Sequence, residues 1–302
     1  MKMRLTLDAL LVLDAIDRKG SFAAAADEIN RVPSAVTYTI SKLEQDLDVR
    51  LFDRSGHRAR LTEAGRKLLD DGRRLLRAAA ELEHSVKRVA TGRELELRIA
   101  VVDIIPLERL FPLLHRYYAE DFGTQLRISR EVFGGAWDAL VSARADLVIG
   151  AVGEGPAGGN YNTRLLGDVE FILVVPPQHP LATRPEPLSV DDLLEFRVVA
   201  AADSSRNLPP RTSALLSGQD VLTVPDMDCK LNAQRDGLGV GFVPRNLVAQ
   251  DLADGHLVER TATTAVAPVH LSLAWRDQQI GEVMRWFLRQ FEDTELCSTL
   301  LR

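Results

Sequence analysis

Apolar and polar positions follow three successive rhythms along this chain of 302 residues, and each change of rhythm marks a change of part. From position 6 to 17 almost every residue is apolar, with Asp14, Asp17 and Arg18 on one flank, which predicts a largely buried helix closed by Gly20. Ser21 is a natural cap for a second helix over 22–29, whose run Ala23-Ala24-Ala25-Ala26 lets two helices approach closely. A short turn, Asn30-Arg31-Val32, leads to Pro33, which suits the first position of a third helix. In that helix Val36, Ile40, Leu43 and Leu47 recur at helical spacing and predict an inward stripe. Ser34, Thr37, Tyr38, Ser41 and Lys42 fall on the opposite face, a polar surface that suits a major groove.

Residues 51–62 read as two short strands around Gly56, forming a basic wing that carries Arg54, His57, Arg58 and Arg60. Thr62 then caps a long helix over 63 to about 90. Its Leu68, Leu75, Leu82 and Val89 recur every seventh residue, and Gly72, Ala79 and Val86 form a second such row. These are the d and a positions of a short coiled coil, or the face of a helix packed on its own domain. A dimerisation helix is the favoured reading, because a twofold dimer matches an inverted-repeat operator. Thr91-Gly92-Arg93 is the expected hinge.

Beyond residue 94 the rhythm shortens to strand-like runs at 97–102, 125–131, 147–151, 171–175, 198–201, 221–224, 240–243 and 270–275. Amphipathic stretches at 106–119, 136–144, 230–236 and 279–292 lie between them. Alternation of this kind predicts an α/β domain with largely parallel sheets.

Charge sharpens the division. Residues 1–92 carry 17 Lys and Arg against 14 Asp and Glu, whereas residues 93–302 carry 20 against 29. A mildly basic module is thus joined to an acidic one, and the case for nucleic acid rests on motif more than on charge. Hydrophobic residues at 46% and charged residues at 26% fit a soluble chain with real cores. No apolar run approaches the roughly 20 residues of a membrane span. The start of the chain lacks the apolar segment of a secretory signal, so a cytoplasmic protein is expected. Cys229 and Cys297 are too few and too far apart for a disulfide framework or a zinc finger; no metal or cofactor is expected. The α/β half shows no G-x-S-x-G, H-E-x-x-H or P-loop, which argues against an enzyme. Gly237-Leu238-Gly239-Val240-Gly241 has the wrong spacing for a dinucleotide loop and reads as a tight helix-to-strand turn.

Four ordered motifs then carry a family resemblance. They are Gly20-Ser21-Phe22 with Ala25-Ala26, Val32-Pro33-Ser34-Ala35-Val36-Thr37 with Ile40 and Leu43-Glu44, Leu51-Phe52-Asp53-Arg54, and Leu61-Thr62 with Ala64-Gly65. Over about residues 5–66 the chain resembles the LysR-type transcriptional regulators, departing from many members in having Val32-Pro33-Ser34 where they carry Ser-Gln-Pro or Ser-Gln-Ser. The resemblance implies a winged helix-turn-helix domain at 1–62, a linker and dimerisation helix with hinge at 63–93, and an effector-binding domain at 94–302. That last domain would hold two Rossmann-like subdomains resembling periplasmic solute-binding proteins, one about 94–162 plus 268–302 and the other about 163–267. Candidate DNA contacts are Arg31, Pro33, Ser34, Thr37, Tyr38, Ser41, Arg54, His57 and Arg58.

In such folds ligands lie at strand C-termini and helix N-termini. The candidate effector residues are therefore Asp103, Ile104, Ile105, Phe133, Gly134, Trp137, Ala202, Ser204, Ser205 and Asp228. Trp137 would stack on a flat ring or belong to the core, and the hydroxyls of Ser204 and Ser205 would bind a carboxylate or phenol or cap a helix. A buried Asp103 disfavours a simple anion unless it is protonated or paired. The expected partners are double-stranded dyad operator DNA, a small aromatic or organic acid, further copies of the chain as dimer and tetramer, and RNA polymerase, with no membrane. A periplasmic receptor fits the second half alone, and a ligand-independent architectural protein would bind DNA with little sequence preference.

Overall fold

The computed structural model describes residues 4–53, 60–91, 94–212, 215–264, 266–277 and 280–302. It divides into two compact units, 1–90 and 91–302.

The first unit is built on three short helices. Thr6 caps α1 (Leu7–Lys19) by accepting the Ala9 N–H at 3.1 Å, and Gly20 ends it in the left-handed conformation, with φ of 72°. Ser21 caps α2 (Phe22–Glu28) in the same way, on the Ala24 N–H. Asn30 makes the sharp turn before α3 (Pro33–Leu47), with φ of 53°. Val36, Ile40 and Leu43 of α3 close a core with Leu13, Ile16, Ala25 and Ala26, as the periodicity predicts, whereas Leu47, expected in the same stripe, is exposed at the end of the helix. Two strands, β1 (Phe52–Asp53) and β2 (Arg60–Leu61), pair antiparallel and open the wing. Leu51 and Phe52 are held to α3 by their N–H groups, both donated to the Glu44 carboxylate.

The long helix α4 (Glu63–Thr91) has two characters. Its first turns pack on α1: a Cβ on Gly72 would lie 2.6 Å from a terminal methyl of Leu10, so any larger residue there would have to displace the Leu10 side chain. Arg73 adds ion pairs to Asp14 at 2.7 Å and Asp17 at 3.0 Å. Farther along, Leu75, Leu82 and Val86 are exposed. The side chain of Val89 and the hinge residues Gly92 and Arg93 lie outside the described residues.

The second unit has two lobes. In the first, β3 (Glu96–Val102) leads through a 3-10 turn to α5 (Phe111–Ala119), followed by β4 (Gln125–Glu131), α6 (Gly135–Val141), β5 (Leu147–Val152) and β6 (Tyr161–Val169). The chain then builds the second lobe from β7 (Phe171–Val175), α7 (Val190–Leu194), β8 (Val198–Ala201), β9 (Val221–Val224), α8 (Met227–Arg235), β10 (Gly241–Pro244), α9 (Arg245–Ala253) and β11 (Val258–Arg260). It returns to the first lobe with β12 (Val269–Arg276), α10 (Glu282–Gln290) and α11 (Thr294–Leu301).

The first sheet has the order β4-β3-β5-β12-β6, and the second lobe holds a β10-β7-β11 sheet and a β8-β9 pair. Two expectations are corrected here. The sheets are mixed: β3 pairs parallel with β4 and β5, but β12 runs antiparallel to both its neighbours and the β10-β7-β11 sheet is wholly antiparallel. The first lobe also extends to Val169, beyond the expected boundary near 162, because β6 hydrogen-bonds to β12 along its length. Its burial does not alternate residue by residue and Gly167 lies inside it, which weakens the strand signal in the sequence. Among the described residues no helix is long and apolar enough to cross a membrane.

Candidate DNA-binding and effector-binding sites

The recognition surface follows from how α3 is seated. Its apolar stripe is spent on the core, so the opposite face is left to solvent. Val32 supplies no side-chain cap and Pro33 occupies the first turn; the Ala35 and Val36 N–H groups are donated to the Val32 carbonyl, and the positive end of the helix dipole faces outward. Ser34, Thr37 and Tyr38 are exposed there, Tyr38 at 68%, while Ser41 is half-buried. Thr37 donates its hydroxyl to the Pro33 carbonyl at 3.0 Å, which fixes its rotamer and presents the oxygen lone pairs and methyl outward. Arg31 is committed otherwise: its guanidinium grips Asp8 with two bonds of 2.6 and 3.0 Å and ties the α2–α3 turn to α1. It therefore positions the turn in this structure and is not presented as an unpaired cation. Arg54, His57 and Arg58 of the wing lie outside the described residues.

In the second unit the four segments expected to form an effector site do converge, but many of their polar groups bind one another. The Ser204 hydroxyl donates to Glu131 at 2.6 Å and accepts the Val132 N–H at 2.9 Å. Asp203 accepts N–H groups from Gly134, Ser205 and Arg211. Asp138, fully buried, accepts the Asn207 and Leu208 N–H groups and pairs with Arg144. Burial pushes its pKa up, but Arg144 and the converging donors outweigh this and hold it below the ordinary carboxylate value. The 203–211 segment of the second lobe is thereby strapped onto α6 of the first. Gly135 is the contact point: a Cβ there would sit 1.8 Å from the Ser204 hydroxyl.

Several candidate residues take other places. Trp137 is 1% exposed, donates its indole N–H to the Val152 carbonyl and packs on Tyr161, so it belongs to the core and does not offer a face to a ligand. Ile104 and Ile105 are core as well, because the chain turns inward after β3. Ala202 donates its N–H to Val224 within the second lobe. Asp228 is exposed and pairs with Arg130 of β4 at 2.5 Å, bridging the lobes from outside. Ser205 has a buried hydroxyl without a described partner.

Phe133 and Asp103 remain at the cleft. Phe133, in a left-handed conformation with φ of 48°, lines a narrow pocket with Phe171, Ala200, Ala201, Thr212, Met227, Lys230 and Phe242. Asp103 is 3% exposed and accepts the Met227 N–H at 2.8 Å. Burial is the main reason its carboxyl is pushed up to about 6; the Met227 N–H and Arg130 oppose the shift, and Asp226 and Asp228 reinforce it.

Lys230 was not among the candidates, although the spacing of Met227, Lys230, Leu231 and Gln234 is that of one buried helix face. That spacing is the signal by which it could have been found. Burial pushes its ammonium down to about 8, with Asp103 opposing.

A basic recognition domain of three helices and a wing, joined by a long helix to a two-lobed α/β domain with a cleft, defines a DNA-binding transcriptional regulator with a ligand-sensing half. The family description "Bacterial regulatory helix-turn-helix protein, lysR family" matches residues 7–66, and "LysR substrate binding domain" matches residues 90–295. The chain belongs to the LysR family. It is similar to the probable HTH-type transcriptional regulator YhaJ of Escherichia coli K12, 43% identical over 286 residues that cover 95% of each chain. It is also similar to the HTH-type transcriptional regulator PunR of the same strain, 35% identical over 287 residues, covering 95% of this chain and 93% of that one. Among solved structures, CbnR, a LysR family transcriptional regulator, shares the fold with a TM-score of 0.61 at 18% identity, covering 96% of this chain and 99% of that one. A full-length CbnR structure in complex with its target DNA matches with a TM-score of 0.60 at 19% identity, covering 96% and 100%. The relatives named here are transcriptional regulators.

Proposed function

We propose that this regulator recognises an interrupted dyad operator, as a dimer joined through α4 and a tetramer of two such dimers, and that a small aromatic or organic acid held in the cleft controls it. The observation that carries the reading is the exposed N-terminal face of α3, with Ser34, Thr37 and Tyr38 displayed over a fully apolar seat. Support for dimerisation comes from the exposed Leu75, Leu82 and Val86 on α4, which repeat at coiled-coil positions. PunR and YhaJ are named transcriptional regulators, and CbnR has been solved on its target DNA; by analogy this chain acts on operator DNA in the cytoplasm. Effector binding shifts the equilibrium between lobe arrangements and so changes the spacing of the DNA-binding heads.

The test is genome-wide capture of DNA fragments by the purified full chain, beside a Thr37→Ala, Tyr38→Ala double variant. Enrichment of a few dyad sites, weakened on the order of 10- to 100-fold in the variant, is the expected result. Diffuse binding that survives the double substitution would overturn the assignment of the recognition face.

A further inference from the structure

Two polar side chains on the inward face of α8 lack what buried polar groups normally have. Lys230 is 7% exposed, and among the described residues its ammonium makes no hydrogen bond or ion pair, with Asp103 acting on it only through space. Gln234, one turn farther on and fully buried, has neither its amide nitrogen nor its amide oxygen bonded to protein. Both flank Gly241: a Cβ there would lie 2.9 Å from the Gln234 amide nitrogen and 3.5 Å from the Lys230 Cε. A buried cation and a buried amide left open are costly unless something else satisfies them.

The surroundings say what that something is. Lys230 lines the cleft pocket whose other walls are Phe133, Phe171, Phe242, Met227, two alanines and Thr212. The cavity there is about 20 Å³, room for one water-sized group, so it takes the head of a ligand and not its body. Phe242 is also a wall of a larger apolar cavity of about 220 Å³ inside the second lobe, lined by Leu173, Leu193, Val198 and Val240. Asp103, the neighbouring acid, spends its carboxylate on the Met227 N–H and does not reach Lys230 as an ion pair.

We propose that Lys230 is the anchor for the effector's charge, and that the effector is a small monoanion, a carboxylate head on a compact apolar body. The carboxylate seats against the Lys230 ammonium, with Thr212 at the same wall. The phenylalanines meet the body, and turning the Phe242 ring opens the apolar cavity to it. A second negative charge is disfavoured by Asp103, Asp226 and Asp228, which stand at the same helix end. The assignment rests on the cleft being the effector site proposed above.

The experiment uses the full-length protein, wild type and Lys230→Met, with benzoate, short-chain monocarboxylates and the amide of each acid as probes. Binding is read by calorimetry and thermal melting. At least one carboxylate is expected to bind, its amide at least tenfold more weakly, and Lys230→Met to abolish that preference while melting at or above the wild-type temperature, because methionine removes a buried unpartnered charge. A carboxylate that binds Lys230→Met equally well overturns the assignment, as does a panel in which no carboxylate binds. Amides that bind where acids do not would overturn the anion anchor yet leave the cleft as effector site. A Lys230→Met variant that melts well below wild type would show the lysine to be structural. Failure of every probe together with unchanged operator binding would count against the cleft reading itself.

Discussion

The two sites of this regulator handle polar groups in opposite ways. On α3 the apolar stripe is consumed by the core and the polar residues face water, so the site is a surface that exists whether or not DNA is bound. In the cleft, polar groups are turned inward, and they either satisfy one another across the lobes, as Ser204 and Glu131 do, or lack a hydrogen-bond partner among the described residues, as the Gln234 amide does. The first arrangement costs little to maintain and reads DNA by presentation. The second holds unmet electrostatic demand, and a ligand is the means of meeting it.

That contrast breaks most sharply in the core of the recognition domain. Ile40→Asp puts an unpaired carboxylate among Leu13, Ile16 and Val36 and is expected to cost more than about 4 kcal/mol, unfolding the first unit. Calorimetry should then show the early transition lost, DNA binding abolished and the melting of the α/β unit retained. If both units melt together, they are not energetically separate.

Asp103 gives a pH test of the inward-facing site. Its carboxyl titrates near 6 when folded and near 3.8 when unfolded, so the folded state holds the proton more tightly. The stability from this group is fully present below about pH 4 and is lost as pH rises through 6. Asp103→Asn is expected to flatten that part of the profile and raise stability at neutral pH by up to about 3 kcal/mol. Equilibrium urea unfolding between pH 4 and 8 checks it, with an unchanged slope as the contrary result.

Gly135→Ala tests the strap between the lobes. The added methyl group meets the Ser204 hydroxyl, and a cost of about 1–3 kcal/mol is expected, with faster amide exchange over 203–211 and operator binding by the first unit preserved. Ser21→Ala removes the cap of α2 and should lower the first transition by about 1 kcal/mol while leaving the second untouched.

The same contrast explains what could be read from the chain before its structure. The three helices of the recognition domain were legible, because caps such as Ser21 and stripes such as Val36, Ile40 and Leu43 are local signals. Most strands of the α/β unit were legible too, but β6, β11, α7, α9 and α11 were not: they are short or only partly buried, and their place is set by partners distant in sequence. The cleft was legible only as a meeting of four segments. Which side chains stay open in it depends on tertiary closeness, so Trp137 and Ile105 went to the core and Ser204 to Glu131, while Lys230 emerged as the open group.

The route of the chain between the lobes has an architectural consequence. It leaves the first lobe after Val169 and re-enters it at Val269, and these two residues are direct partners on adjacent strands. Everything from Glu170 to Pro268 is therefore an insert whose two ends emerge side by side on one sheet. Such a lobe behaves as a cassette. Another lobe with closely spaced termini could be grafted at the same pair of residues, leaving the DNA-binding domain and the first-lobe sheet as they are.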